Sequence, residues 1–188
     1  PPLLVQLVKI GEQTGKLENT YIMFVSDNGY EQGEHRIKDG KRQPYEESIR
    51  TPFLIRGPVI PIQTIEKLVA NIDYAPTILE LAGGPAGLVQ DGRSLVPLMQ
   101  NPSIPWRTDF LIEDPNGKHF AGVHTETAVY IEYDYDDNGV ADEKELYDLT
   151  IDPYQLESKH NDPLYAVLQN ELETRLDILK DCSGVTCL

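Results

Sequence analysis

The chain has 188 residues, 40% hydrophobic and 25% charged, with a net charge of −15 and a pI near 4.5. Those proportions are ordinary for a globular fold, and the length suffices for one good-sized domain or one domain with a small appendage. The strong negative charge argues against nonspecific binding to nucleic acid or an anionic membrane, and no apolar run approaches the length of a membrane span.

The chain opens on Pro1-Pro2 with no signal peptide, which reads as a start processed or excised from something longer. Leu3, Leu4, Leu7, Val8 and Ile10 recur at helical spacing, so a helix is predicted over 2–16 with Gly15 as its terminator. Tyr21 to Val25 is a short apolar run of β-formers that stops at Ser26-Asp27-Asn28-Gly29. Without polar alternation it reads as a strand covered on both faces, as in a parallel sheet between helices. Ligands of open α/β sheets bind just beyond the carboxyl ends of such strands, where Asp27 and Asn28 stand. A carboxylate beside a side-chain amide offers two hard oxygens suited to Ca²⁺ or Mg²⁺. The same Asp-Asn-Gly is also an ordinary turn.

The loop from Tyr30 to Thr51 is long and charged. Between His35 and Arg56 six cations face only Asp39, Glu46 and Glu47, a local balance of +3. A divalent cation flanked by such residues is a site for an anion, above all a sulfate or phosphate oxyanion. Phe53 to Ile55 reads as a second buried strand, and a third is predicted within 65–72 from Leu68, Val69 and Ile72. Asp73 is placed to cap a helix starting near Tyr74 and stopped by Gly83-Gly84. A helical turn is expected over 94–99.

After Trp106 the pattern changes to short strands around Phe110–Ile112, Phe120–Val123, Ala128–Ile131 and Glu145–Tyr147, as in an antiparallel sheet. A final helix is predicted from Pro163 to Leu179, with Leu164, Val167, Leu168, Leu172, Leu176 and Leu179 on one face. Acidity concentrates here: residues 109–188 carry 19 Asp and Glu against five Lys and Arg. Cys182 and Cys187 are spaced to close a small disulfide loop, which would imply an oxidising compartment; two free thiols is the other reading.

Taken together, SDNG, GEH and GK-x-x-x-YE-x-x-IR-x-P-x-x-x-x-GP, continued by NIDYAPTILELAG, DGRSLVPLM and ELYDLTIDP, resemble the carboxyl-terminal half of a sulfatase, in the alkaline-phosphatase superfamily. The resemblance implies an α/β class: the carboxyl-terminal portion of an alkaline-phosphatase-like doubly wound sheet over 1–105, then a small antiparallel sheet with a packed helix over 106–188. It implies Ca²⁺ as cofactor, with Asp27 and Asn28 as ligands, Lys41 on the sulfate, and His35 near the leaving group. It also implies a formylglycine nucleophile outside these residues, so that this fragment alone is inactive. The expected partners are a sulfated small molecule or saccharide and the missing amino-terminal part, in a secreted, periplasmic or lysosomal setting. The tail LKDCSGVTC resembles glucosamine-6-sulfatase-like members, and an arylsulfatase stays open beside them. A phosphodiesterase or phosphonate hydrolase of the same superfamily would use the same sheet and an oxyanion site. A noncatalytic Ca²⁺-binding module would instead bind Ca²⁺ through Asp134 to Glu145.

Two further motifs are weighed against their surroundings. Asp134 to Glu145 fits the D-x-[DN]-x-[DN]-G-x₅-E calcium loop, but strands rather than helices flank it, which favours an acidic hairpin tip. Ser103-Ile104-Pro105-Trp106-Arg107 matches the (C/S)-x-P-x-R sulfatase signature, but it lies after the DNG strand and leads into a strand, so it reads as a linker.

Overall fold

The computed structural model describes residues 2–38, 40–114 and 119–187. Helix α1 spans Pro2–Gln13, and a short turn leads into strand β1, Ile22–Val25. The charged loop follows, ending in the short helix α2, Glu46–Ile49, and strand β2, Phe53–Arg56. Helix α3 spans Tyr74–Leu81 and α4 spans Val96–Gln100. Strands β3 (Asp109–Asp114), β4 (Phe120–Thr125), β5 (Ala128–Tyr133) and β6 (Glu143–Asp148) form an antiparallel meander in sequence order. The 15-residue helix α5, Ala166–Lys180, closes the fold.

The α/β class and the small sheet with its packed helix agree with the sequence reading, but the first sheet departs from it in detail. β1 pairs with β2 antiparallel, in the register Ile22 opposite Arg56 through Val25 opposite Phe53. Phe24, Val25 and Leu54 are exposed, so these apolar strands are not covered on both faces within this chain. No strand forms over 65–72. Its apolar residues Ile65 and Val69 pack instead on the Leu95, Leu98 and Met99 cluster beneath α4. The Leu68 carbonyl accepts the Trp106 indole N–H at 2.7 Å.

The four-stranded sheet explains the apolar run Ala128–Ile131 that opens β5. Val129, Ile131 and Tyr133 face one side, with Phe120, Tyr147 and Ile112. Ala128 and Tyr130 face the other, with Val123 and Leu146, under Leu172, Leu176 and Leu179 of α5. Covered on both faces, a central strand has no reason to alternate. Leu168 joins that packing, but Leu164 and Val167 are exposed. At 100° per residue Val167 falls on the opposite side of α5 from Leu172, and Leu164 lies in the 3₁₀ turn that precedes the helix. The Cys182–Cys187 disulfide is formed.

Asp73 does not cap α3 with its side chain. Its carboxylate accepts the Ala70 N–H (2.8 Å), the Arg93 N–H (2.8 Å) and two N–H groups of Arg107 (2.6 Å each). Asp73 is fully buried and Arg107 nearly so. Arg107 is thereby committed to structure. With Ser103 and Trp106 leading to β3 rather than a helix, the stretch 103–107 is a linker, as its place in the sequence implies.

Candidate functional site

The DNG turn is held from behind by α2. The Gly29 N–H donates to the Ser48 carbonyl at 2.8 Å, and a Cβ built on Gly29 would lie 2.0 Å from the Glu47 carbonyl oxygen. Only glycine permits that approach. Gly29→Ala is therefore expected to displace the turn from α2, lowering the unfolding midpoint and weakening any cation affinity of Asp27 and Asn28. A denaturation curve and a Ca²⁺ titration of the full-length protein check it.

The loop then doubles back. Glu31 and Gly40 exchange backbone hydrogen bonds at 2.8 and 3.1 Å, an isolated antiparallel bridge that returns Lys41 to the DNG turn. The Lys41 Nζ donates to Asn28 Oδ1 at 3.0 Å and lies 3.6 Å from Asp27 Oδ2. Two oxygens from consecutive residues thus converge on one cationic group at the mouth of β1. The site is open: the Lys41 side chain is 50% exposed and that of Asp27 80%. Those hard oxygens and that exposure fit a divalent cation that keeps part of its hydration shell.

His35 is placed differently from the other three. It adopts φ 54°, stacks on Tyr45 at 3.9 Å between ring centroids, and its Nε2 lies 3.2 Å from Glu47 Oε2. Its side chain is only 8% exposed.

The other end of the loop is clamped to the four-stranded sheet. Arg42 grips Asp114 with two hydrogen bonds of 2.9 and 2.8 Å. The Tyr45 hydroxyl reaches Glu145 at 3.3 Å, the Glu46 carboxylate meets His124 Nε2 at 2.7 Å, and the Glu46 N–H donates to Gln155 Oε1 at 2.7 Å. Burial raises the Glu46 carboxyl, but the bond and charge of His124, with Arg50, outweigh it and hold the group below the ordinary carboxylate range. A carboxylate so depressed stabilises the fold at neutral pH and loses that contribution as pH falls through its lowered value. Glu46→Gln should therefore lower the urea midpoint at neutral pH by the equivalent of about 1–3 kcal/mol and converge with wild type in acid. Glu145 is shifted the other way: burial, with the charge of Glu143, lifts it above the ordinary range despite the tyrosine hydroxyls.

The acidic hairpin presents Asp134, Asp136 and Asp142 with carboxylate oxygens within 4.8 Å of one another. Glu145, which a calcium loop would use as its bidentate ligand, is turned away to Tyr45 and Tyr133. Asp134 accepts the Asn138 and Gly139 N–H groups, and Asp142 the Tyr135 N–H. These bonds organise a turn.

Residues 33–181 match the family described as N-sulphoglucosamine sulphohydrolase, C-terminal. The chain is 38% identical to N-acetylglucosamine-6-sulfatase of Homo sapiens over 98% of its own length and 39% of that protein. It is 32% identical to an arylsulfatase of Chlamydomonas reinhardtii, over 98% of this chain and 33% of the relative. A solved structure in complex with its substrate D-glucosamine-2-N,6-O-disulfate superposes with a TM-score of 0.79 at 31% identity, over 92% of this chain and 36% of that one. The phosphonate monoester hydrolase of Agrobacterium radiobacter shares the fold, with a TM-score of 0.78 at 24% identity. The chain spans less than half the length of the relatives it matches. By its family match, these relatives and this shared fold, it belongs to the sulfatases, as a C-terminal portion of the sulfatase fold.

Proposed function

We propose that this chain supplies the metal- and sulfate-contacting part of a sulfuric ester hydrolase acting on sulfated amino sugars. The observation that carries the reading is the convergence of Asp27, Asn28 and Lys41 at the mouth of β1. Asp27 and Asn28 hold Ca²⁺ through their side-chain oxygens. When bound, Ca²⁺ supplies positive charge to the sulfate oxygens. Lys41 then exchanges its contact with Asn28 for one with the sulfate, and neutralises charge growing on the bridging oxygen. His35 serves the leaving-group side through Nδ1, the nitrogen that Glu47 does not hold.

The formylglycine nucleophile and the remaining acidic ligands lie outside these 188 residues, and the chain alone is inactive. We read residues 1–105 as part of the catalytic domain and 106–188 as the subdomain bracing its loop through Arg42, Tyr45 and Glu46. The exposed apolar residues of α1 (Leu3, Leu7, Ile10) and of β1 and β2 (Phe24, Val25, Leu54) supply a face for the rest of the enzyme to cover. The disulfide, together with relatives described as extracellular sulfatases, supports a secreted, periplasmic or lysosomal setting. No helix among the described residues is long and apolar enough to cross a membrane.

Matched sulfate and phosphate esters test the reading. The complete enzyme is expected to hydrolyse glucosamine 6-sulfate at a higher kcat/KM than glucosamine 6-phosphate or an aryl sulfate. A preference for the phosphate ester, or for a phosphonate monoester, would make the protein a phosphohydrolase instead.

A further inference from the structure

A cavity of about 180 Å³ lies where β3 begins, lined by Arg93, Trp106, Arg107, Thr108, Asp109 and Arg175. Half of these residues are arginines, in a chain of net charge −15. Two are neutralised from within the fold. Arg107 holds Asp73 through two N–H groups, and Arg175 holds Asp109 at 2.7 and 3.0 Å. Arg93 differs, because none of the ion pairs among the described residues includes it. Its guanidinium lies 5.5 Å from the centre of the Trp106 ring, and that of Arg107 lies 5.6 Å from the same ring.

A guanidinium stacked on an indole keeps its in-plane N–H donors for a ligand, and a recessed cation without a counter-charge gains most when an anion meets it. Asp109 opposes this, but Arg175 already occupies its carboxylate. The lining carries a balance of two positive charges, and one remains when Asp73 behind Arg107 is counted. The volume is below the range of about 300–1,000 Å³ common for drug-sized ligands, so it suits a single anionic group better than a saccharide chain.

We propose that this recess binds a small oxyanion, a sulfate or phosphate group, through Arg93. The site shares no residue with the Asp27, Asn28 and Lys41 group, and it stands whether or not the proposed hydrolase activity does.

Trp106 is the chain's one tryptophan, so its emission reads this recess. Sodium sulfate and sodium phosphate are titrated separately into the complete enzyme, with ionic strength held constant by sodium chloride, and the emission that Trp106→Phe removes is taken as the Trp106 signal. At least one is expected to change Trp106 emission saturably. In Arg93→Gln the affinity is expected to fall about tenfold or more. The fold should survive, because Asp73 is bonded by the Arg93 backbone N–H and not by its side chain; circular dichroism checks this. A third titration with glucosamine 6-sulfate separates two sources of the same group: tighter binding than the inorganic ion names a saccharide-borne sulfate, and equal or weaker binding names the free anion. The proposal is overturned if neither inorganic ion changes the emission saturably, or if Arg93→Gln keeps wild-type affinity.

Discussion

Replacing Lys41 by alanine in the complete enzyme is expected to cut kcat for a sulfate ester by about 10²–10³-fold, the usual cost of losing one well-placed electrostatic contact. The unfolding midpoint should hardly move. Lys41 is half exposed, and an ion pair in that setting contributes about 0–1 kcal/mol. Rate and stability therefore separate at this residue, as expected of a side chain kept for charge rather than packing. Near-normal kinetics would remove Lys41 from the site. A parallel loss of stability would make it a structural cation instead.

The largest stability effect is expected at Arg107. Arg107→Ala leaves the Asp73 carboxylate fully buried without its guanidinium, and breaking a buried pair in this way costs about 3–5 kcal/mol. Against a typical domain stability of about 5–15 kcal/mol that is a large fraction. Converting both partners to apolar residues should restore little here, because Asp73 also satisfies the Ala70 and Arg93 N–H groups. Urea denaturation of Arg107→Ala and of the double variant Asp73→Leu/Arg107→Leu measures both effects. Full recovery in the double variant would show that the backbone donors find other partners.

How far the sequence could be read depended on the range of the interactions involved. Local signals worked: the apolar run of β1 stopping at the DNG turn, the helical spacing within α1, and the spacing of Cys182 and Cys187. Asp27, Asn28 and Lys41 stood out because the motif order resembled a sulfatase and because cations clustered in an acidic chain. The loop's clamps were not legible. Arg42 meets Asp114 across 72 residues, Glu46 meets His124 across 78, Tyr45 meets Glu145 across 100, and the Glu46 N–H meets Gln155 across 109. Nothing in the local pattern around His124 or Gln155 distinguishes a buried partner from a surface polar residue. Asp73 misled for a related reason. Its place before a helix has the signature of a cap, while its partner lies 34 residues on at Arg107. The predicted strand over 65–72 failed because apolar composition reports burial, and here burial comes from packing on α4 rather than from a sheet neighbour. The strands β1 and β2 read as doubly covered, yet their exposed faces lack a cover within these residues.

The role of Asp27 bears most directly on the proposed site. If its carboxylate holds Ca²⁺ while Lys41 meets the sulfate, chelator competition on the complete enzyme should show Ca²⁺ affinity falling about tenfold or more in Asp27→Ala and unchanged or tighter in Lys41→Ala, since losing a nearby ammonium removes a repulsive charge. Wild-type Ca²⁺ affinity in Asp27→Ala would contradict the assignment.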